Sequence, residues 1–76
     1  MYKVIVFAGT TEGYEISRFL GENQIPVLAC VATEYGSKSL KESSTLHVQA
    51  GRLDEKEMKE LFSREKPELV LMQHIP

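Results

Sequence analysis

The sequence predicts a three-layer α/β domain: an open parallel sheet of about four strands with helices packed on it. Three observations predict this. Apolar, β-branched runs of strand length alternate with segments of helical period along the whole chain. The runs at residues 2–7, 25–32 and 68–72 are apolar nearly throughout, as strands covered on both faces are. A fourth run, residues 45–50, alternates polar and apolar and so belongs at an edge with one wet face.

Each element has its own local signature. Tyr-Lys-Val-Ile-Val-Phe forms the first strand and stops at Ala8-Gly9. A helix follows, with Ile16, Phe19 and Leu20 at the i, i+3, i+4 spacing of one buried face and Gly21 and Asn23 as stop signals. Pro26 stands near the start of the second strand, where a missing N–H is tolerated. A loop at residues 33–37 leads into a short helical turn around residues 37–42, and then comes the alternating strand. Asp54 is an N-cap with Glu57 three residues later, a capping-box spacing. Met58, Leu61 and Phe62 form the buried stripe of that helix, and Lys66-Pro67 ends it before the last strand. Right-handed crossovers then favour the sheet order 3-2-1-4, a Rossmann-like arrangement that is an incomplete half of a dinucleotide-binding fold.

Composition narrows the function classes. Of 76 residues, 42% are hydrophobic and 26% charged, which suits one small globular domain. Nine Lys and Arg against eleven Asp and Glu give a net charge of -2, so there is no basic tract to drive nucleic-acid binding by counterion release. Cys30 is the single cysteine, which excludes an internal disulfide and suits a reducing cytoplasm. No apolar run approaches a membrane span. Cys30, His47 and His74 have no metal-ligand spacing, so no metal site is expected. Cys30, inside an apolar strand, reads as a buried inert thiol, and His47 as a surface residue on a polar strand face. Glu55 and Lys59 are placed for an i,i+4 pair on a solvated helix face.

In a parallel sheet the ligand side lies outside the carboxyl ends of the strands. Three loops open there. Gly9-Thr10-Thr11-Glu12-Gly13 permits a tight turn and offers hydroxyls and amides to a phosphate at the positive helix end, while Glu12 and Glu15 suit the helix dipole but oppose an anion. Its spacing is Gly-x-x-x-Gly, not the dinucleotide fingerprint, so a plain strand–turn–helix connection stands beside that reading. Thr33-Glu34-Tyr35-Gly36-Ser37-Lys38 holds an acid that can bind a ribose 2′-OH, as in NAD, and Thr33, Ser37 and Lys38 that can bind a 2′-phosphate, as in NADP. Gly51-Arg52-Leu53-Asp54 brings an arginine that is either a phosphate fork or a surface residue paired with Asp54 or Glu55.

Taken together, Gly9-Thr10-Thr11-Glu12-Gly13, Val31-Ala32-Thr33-Glu34-Tyr35-Gly36 and Gly51-Arg52-Leu53-Asp54 resemble the precorrin-6A reductases of cobalamin biosynthesis, including the cobalt-precorrin form. The motifs occur in the family's order and cover most of the chain. The resemblance implies an NADPH-dependent oxidoreductase that delivers hydride to a ring double bond of a corrin precursor, a tetrapyrrole. By position it implies that Gly9, Thr10, Thr11 and Gly13 face the cofactor phosphates. It puts Thr33, Glu34, Tyr35 and Gly36 on the adenosine side or in the cleft between domains, and Arg52 beside the cofactor or the anionic substrate. It assigns no proton donor.

Family members are longer and carry a second domain, so residues 1–76 read as the N-terminal nucleotide-binding part of a longer reductase. The family's stretch of Asp-x-Thr-His-Pro type has its nearest counterpart in Gln73-His74-Ile75-Pro76, without the acid and the threonine. Strand four, apolar like an interior strand, falls at an edge in the order 3-2-1-4. Self-association, or a missing C-terminal domain, is expected at the Leu69–Met72 edge. Two other readings remain: a truncated, non-catalytic α/β module for protein association, and a fragment of another NAD(P)-dependent dehydrogenase.

Overall fold

A computed structural model describes residues 2–9, 11–32 and 40–72. The elements are β1 (Val4–Ala8), α1 (Thr11–Glu22), β2 (Val27–Val31), β3 (Leu46–Ala50), α2 (Glu55–Glu65) and β4 (Leu69–Met72). All strand pairs are parallel, in the order β3-β2-β1-β4. The expected order 3-2-1-4 is the observed one. Of the short helical turn expected at residues 37–42, residues 37–39 lie outside the described residues and Leu40–Glu42 are not helical.

Strand alternation sorts the core into two layers. Val4, Val6 and Ala8 of β1 share one sheet face with Val27, Ala29 and Val31 of β2 and Leu46 of β3, under Tyr14 and Leu20 of α1. Ile5, Leu28 and Cys30 point the other way, beneath Leu61 and Phe62 of α2. The helices thus cover opposite faces, and β1 and β2 are buried on both.

The two helices meet the sheet by different means, and here one expectation is overturned. Ile16 and Phe19 do not form the buried face of α1; they are 45% and 63% exposed. The buried ridge is Gly13, Ser17 and Gly21, at i, i+4, i+8. Small residues let the helix backbone come close to β1, β2 and β3, which α2 does with no strand. Ser17 satisfies its buried hydroxyl by donating to the Gly13 carbonyl at 2.8 Å. Gly21 is accordingly no stop signal: it lies within α1 against Leu46. The chain turns instead at Gln24, in the left-handed region at φ 64°.

α2 follows its sequence signature. Asp54 accepts from the Glu57 amide at 2.8 Å, and Glu57 Oε1 accepts from the Asp54 amide at 3.2 Å, closing the capping box. Leu61 is buried with Met58 and Phe62 half-buried beside it, and Phe62 meets Phe7 edge-on with centroids 6.1 Å apart. Lys66 caps the helix in the left-handed region and donates to the Phe62 carbonyl. On the same sheet face the Tyr2 hydroxyl and His47 Nδ1 share a hydrogen bond of 2.8 Å, so the exposed His47 is held at the sheet edge rather than loose in solvent. Burial, then the carboxylates of Glu65 and Glu42, push the Tyr2 phenol above its ordinary range.

Candidate functional site

Because every strand is parallel, the carboxyl ends of β1, β2 and β3 open on one end of the molecule. A cavity of about 280 Å³ lies there. Phe7, Ala8 and Gly9 come from the end of β1, Val31 and Ala32 from β2, Gly51, Arg52 and Leu53 from the loop after β3, and Met58 from α2. Its floor is apolar, and Arg52 is the one ionised side chain among the described residues that line it. Cys30, also in the wall, adds no charge at neutral pH: burial pushes its thiol up to about 11. Burial thus disfavours the thiolate, in keeping with its place in an apolar strand.

The loop after β3 is shaped by one glycine. Gly51 has φ 107°, a conformation L side chains rarely adopt, though a Cβ there would meet nothing within 4 Å. Backbone conformation, not space, demands glycine. Its amide donates to the Val31 carbonyl at 2.8 Å and holds the loop against the end of β2. Arg52 follows, exposed. The two acids offered as its surface partners are engaged elsewhere: Asp54 caps α2, and Glu55 pairs with Lys59 at 3.1 Å.

The structure therefore brings Gly9 and Arg52 to one cavity. Thr11 is the exposed first residue of α1, so its amide is one of the helix-start N–H groups without an intrahelical partner. Gly13 lies on the buried side of α1, where a glycine serves close helix–strand packing. Thr10, Thr33, Glu34, Tyr35, Gly36 and His74 lie outside the described residues. Sequence reasoning missed the apolar half of the site: Phe7, Leu53 and Met58. Phe7 and Met58 read as core by periodicity, and only the gap between the strand ends and α2 turns their side chains into cavity wall.

This donor set suits a flat, apolar group bearing a phosphate. The wall accepts an aromatic ring, Arg52 supplies a permanent cation, and no carboxylate stands among the described lining residues. At about 280 Å³ the cavity sits near the bottom of the range for small-molecule sites, enough for part of a dinucleotide rather than all of it. Among the described residues no group of three His, Cys, Asp or Glu is placed to hold a metal, and no helix is long and apolar enough to cross a membrane.

Against known proteins, the family model described as Precorrin-6x reductase CbiJ/CobK matches residues 3–72, which takes in the four strands and two helices found among the described residues. No curated protein and no solved structure gives a significant match.

Proposed function

The chain belongs to the precorrin-6x reductase family, and on that premise we propose that residues 1–76 are the N-terminal, NADPH-binding part of an enzyme that reduces a ring double bond of a corrin precursor. Family membership implies reductive chemistry and a tetrapyrrole substrate. The single observation that supports a nucleotide role for this segment is the cavity at the strand ends, apolar in its wall and cationic at Arg52.

In this reading the cofactor supplies the hydride. The chain's own residues bind and orient it. Phe7, Leu53 and Met58 hold the adenine side out of water, and Arg52 engages a phosphate. Gly9, Thr10 and Thr11 give the backbone approach at the start of α1, and Gly13, on the buried side, seats that helix close to the sheet rather than facing the phosphates. Thr33, Glu34, Tyr35 and Gly36 belong to the adenosine side. Nothing among the described residues encloses a macrocycle and excludes water, so the reading assigns that task to a further domain or partner. The open outer edge of β4 is the site proposed for that completion, by a second copy or by a C-terminal domain; Leu69 and Met72 there are 51% and 63% exposed. The proposed compartment is the cytoplasm, where a biosynthetic reductase with a lone thiol remains reduced.

Titration of the chain with NADPH and with NADH, followed by nucleotide fluorescence and thermal melting, tests the reading. The expected result is stabilisation by NADPH that exceeds that by NADH and is lost in Gly9→Asp, whose carboxylate repels phosphate. No change in melting at millimolar NADPH sinks it. Equal response to both nucleotides would favour a fragment of another dehydrogenase, and association without any nucleotide response would favour a non-catalytic module.

A further inference from the structure

On the α1 side of the sheet the cover given by the described residues stops short of β4. The α1 backbone lies close to β1, β2 and β3 but not to β4, and Leu71 on that side is only half-buried. Ile16 and Phe19, one turn apart and both exposed, border the bare strip. Two depressions run along it. One of about 200 Å³ is bounded by Val6, Gly13, Ile16 and Leu71; the next, of about 380 Å³, is bounded by Ile16 and Phe19. Glu12 borders both and Glu15 the second, and among the described residues no lysine or arginine lines either.

From this combination of apolar groove and acidic rim we propose that the strip between α1 and β4 docks a basic amphipathic helix of a partner protein. The shape favours a helix. A helix about 10 Å across covers two strands spaced about 4.8 Å apart, and beside α1 it completes a layer that now ends over β1. An added strand would pair with the β4 backbone but leave Phe19 bare. The spacing on α1 matches such an occupant: Ile16 and Phe19 are i, i+3, as are Glu12 and Glu15, so apolar anchors and carboxylates run side by side.

Charge decides among occupants. Docking of the same strip from a second copy is isologous and would gather Glu12 and Glu15 of both copies around one apolar seam, doubling its negative charge. An anionic membrane surface is repelled by the same carboxylates. Lysines or arginines flanking a leucine-rich stripe meet both, with the apolar contact supplying affinity and the charges orientation and selectivity. The proposal does not use the nucleotide cavity, so it stands or falls apart from NADPH binding.

Two labelled 18-residue model helices test it. They share a leucine stripe, flanked in one by lysines and in the other by glutamates, and their binding to the full chain is read by fluorescence anisotropy. The expected result is at least a tenfold preference for the lysine helix in wild type. Ile16→Ala with Phe19→Ala should abolish binding, and Glu15→Lys with Glu12→Gln should remove or invert the preference. Phe19→Ser alone serves should the double alanine variant melt early. Equal binding of both helices overturns the proposal, as does a preference that survives loss of Ile16 and Phe19. So does sedimentation showing that wild type already buries the strip in a dimer that these substitutions dissociate.

Discussion

Gly21 of α1 sits so close to Leu46 of β3 that a Cβ on it would lie 3.1 Å from the Leu46 Cβ. The same contact is tied by Thr45, whose hydroxyl donates to the Gly21 carbonyl at 2.6 Å. One glycine thus sets how near the first helix approaches the third strand.

For Gly21 two effects oppose. Alanine in a helix interior is worth about 1 kcal/mol over glycine, while overpacking a tight contact costs about 1–3 kcal/mol. Gly21→Ala should therefore lie near or moderately below wild type, and Gly21→Val, with two more methyl groups, should lose at least about 2 kcal/mol. Urea midpoints at unchanged slope would check the order; a stabilised valine variant would contradict it.

Leu61 is the buried centre of the α2 face and only 2% exposed. Leu61→Ala should cost about 2–5 kcal/mol, a large share of the roughly 5–15 kcal/mol available to a small domain. Loss of the cooperative thermal transition, or a midpoint far below wild type, is the expected reading.

The capping box offers a milder test. Asp54→Ala removes one side-chain acceptor from the α2 N-terminus and should cost about 1 kcal/mol. Because Gly51 and Arg52 lie just upstream, nucleotide response should be measured on the same variant, and a response unchanged at saturating NADPH would show the cap to be structural.

Cys30 gives a pH prediction with a definite sign. Its folded thiol is raised from 9.0 to about 11 by burial. The raised value means the folded state holds the proton longer, so this contribution to stability is fully present below pH 9 and is lost as pH rises toward 11. Cys30→Ser should flatten that part of the stability profile, and alkylation of wild type at pH 8 should proceed only at the rate of opening. Rapid labelling of the folded chain would show the thiol to be accessible.

Arg52 is the cation at the candidate cavity. Arg52→Met keeps much of the stem and removes the charge. A hydrogen bond to a charged group contributes about 1.5–3 kcal/mol, so NADPH affinity should fall by about tenfold or more, with little change in melting temperature without nucleotide. An unchanged affinity would remove Arg52 from the site.

Much of the fold is legible along the chain because its signals are local. Continuous apolar runs marked β1, β2 and β4, alternation marked β3, and Asp54 with Glu57 marked the start of α2. The buried face of α1 was not legible in this way. Ile16, Phe19 and Leu20 satisfy helical periodicity, yet of these only Leu20 packs on the core; Gly13, Ser17 and Gly21 face the sheet, because small residues let the helix backbone seat close to the strands. The apolar wall of the cavity was hidden for a related reason, since Phe7 and Met58 carry no mark that separates cavity lining from core.

The sequence by itself determined the strand and helix order, the sheet class, the charge balance and the family, each written in short-range pattern or in motif order. Only the tertiary structure decided which side of α1 is buried and that Gly9 and Arg52 share a cavity. It alone showed that the strip along β4 is bordered by Ile16, Phe19 and two carboxylates. Those depend on distances between residues far apart in the chain, set by how closely a helix can seat on a sheet, and no local periodicity encodes that spacing.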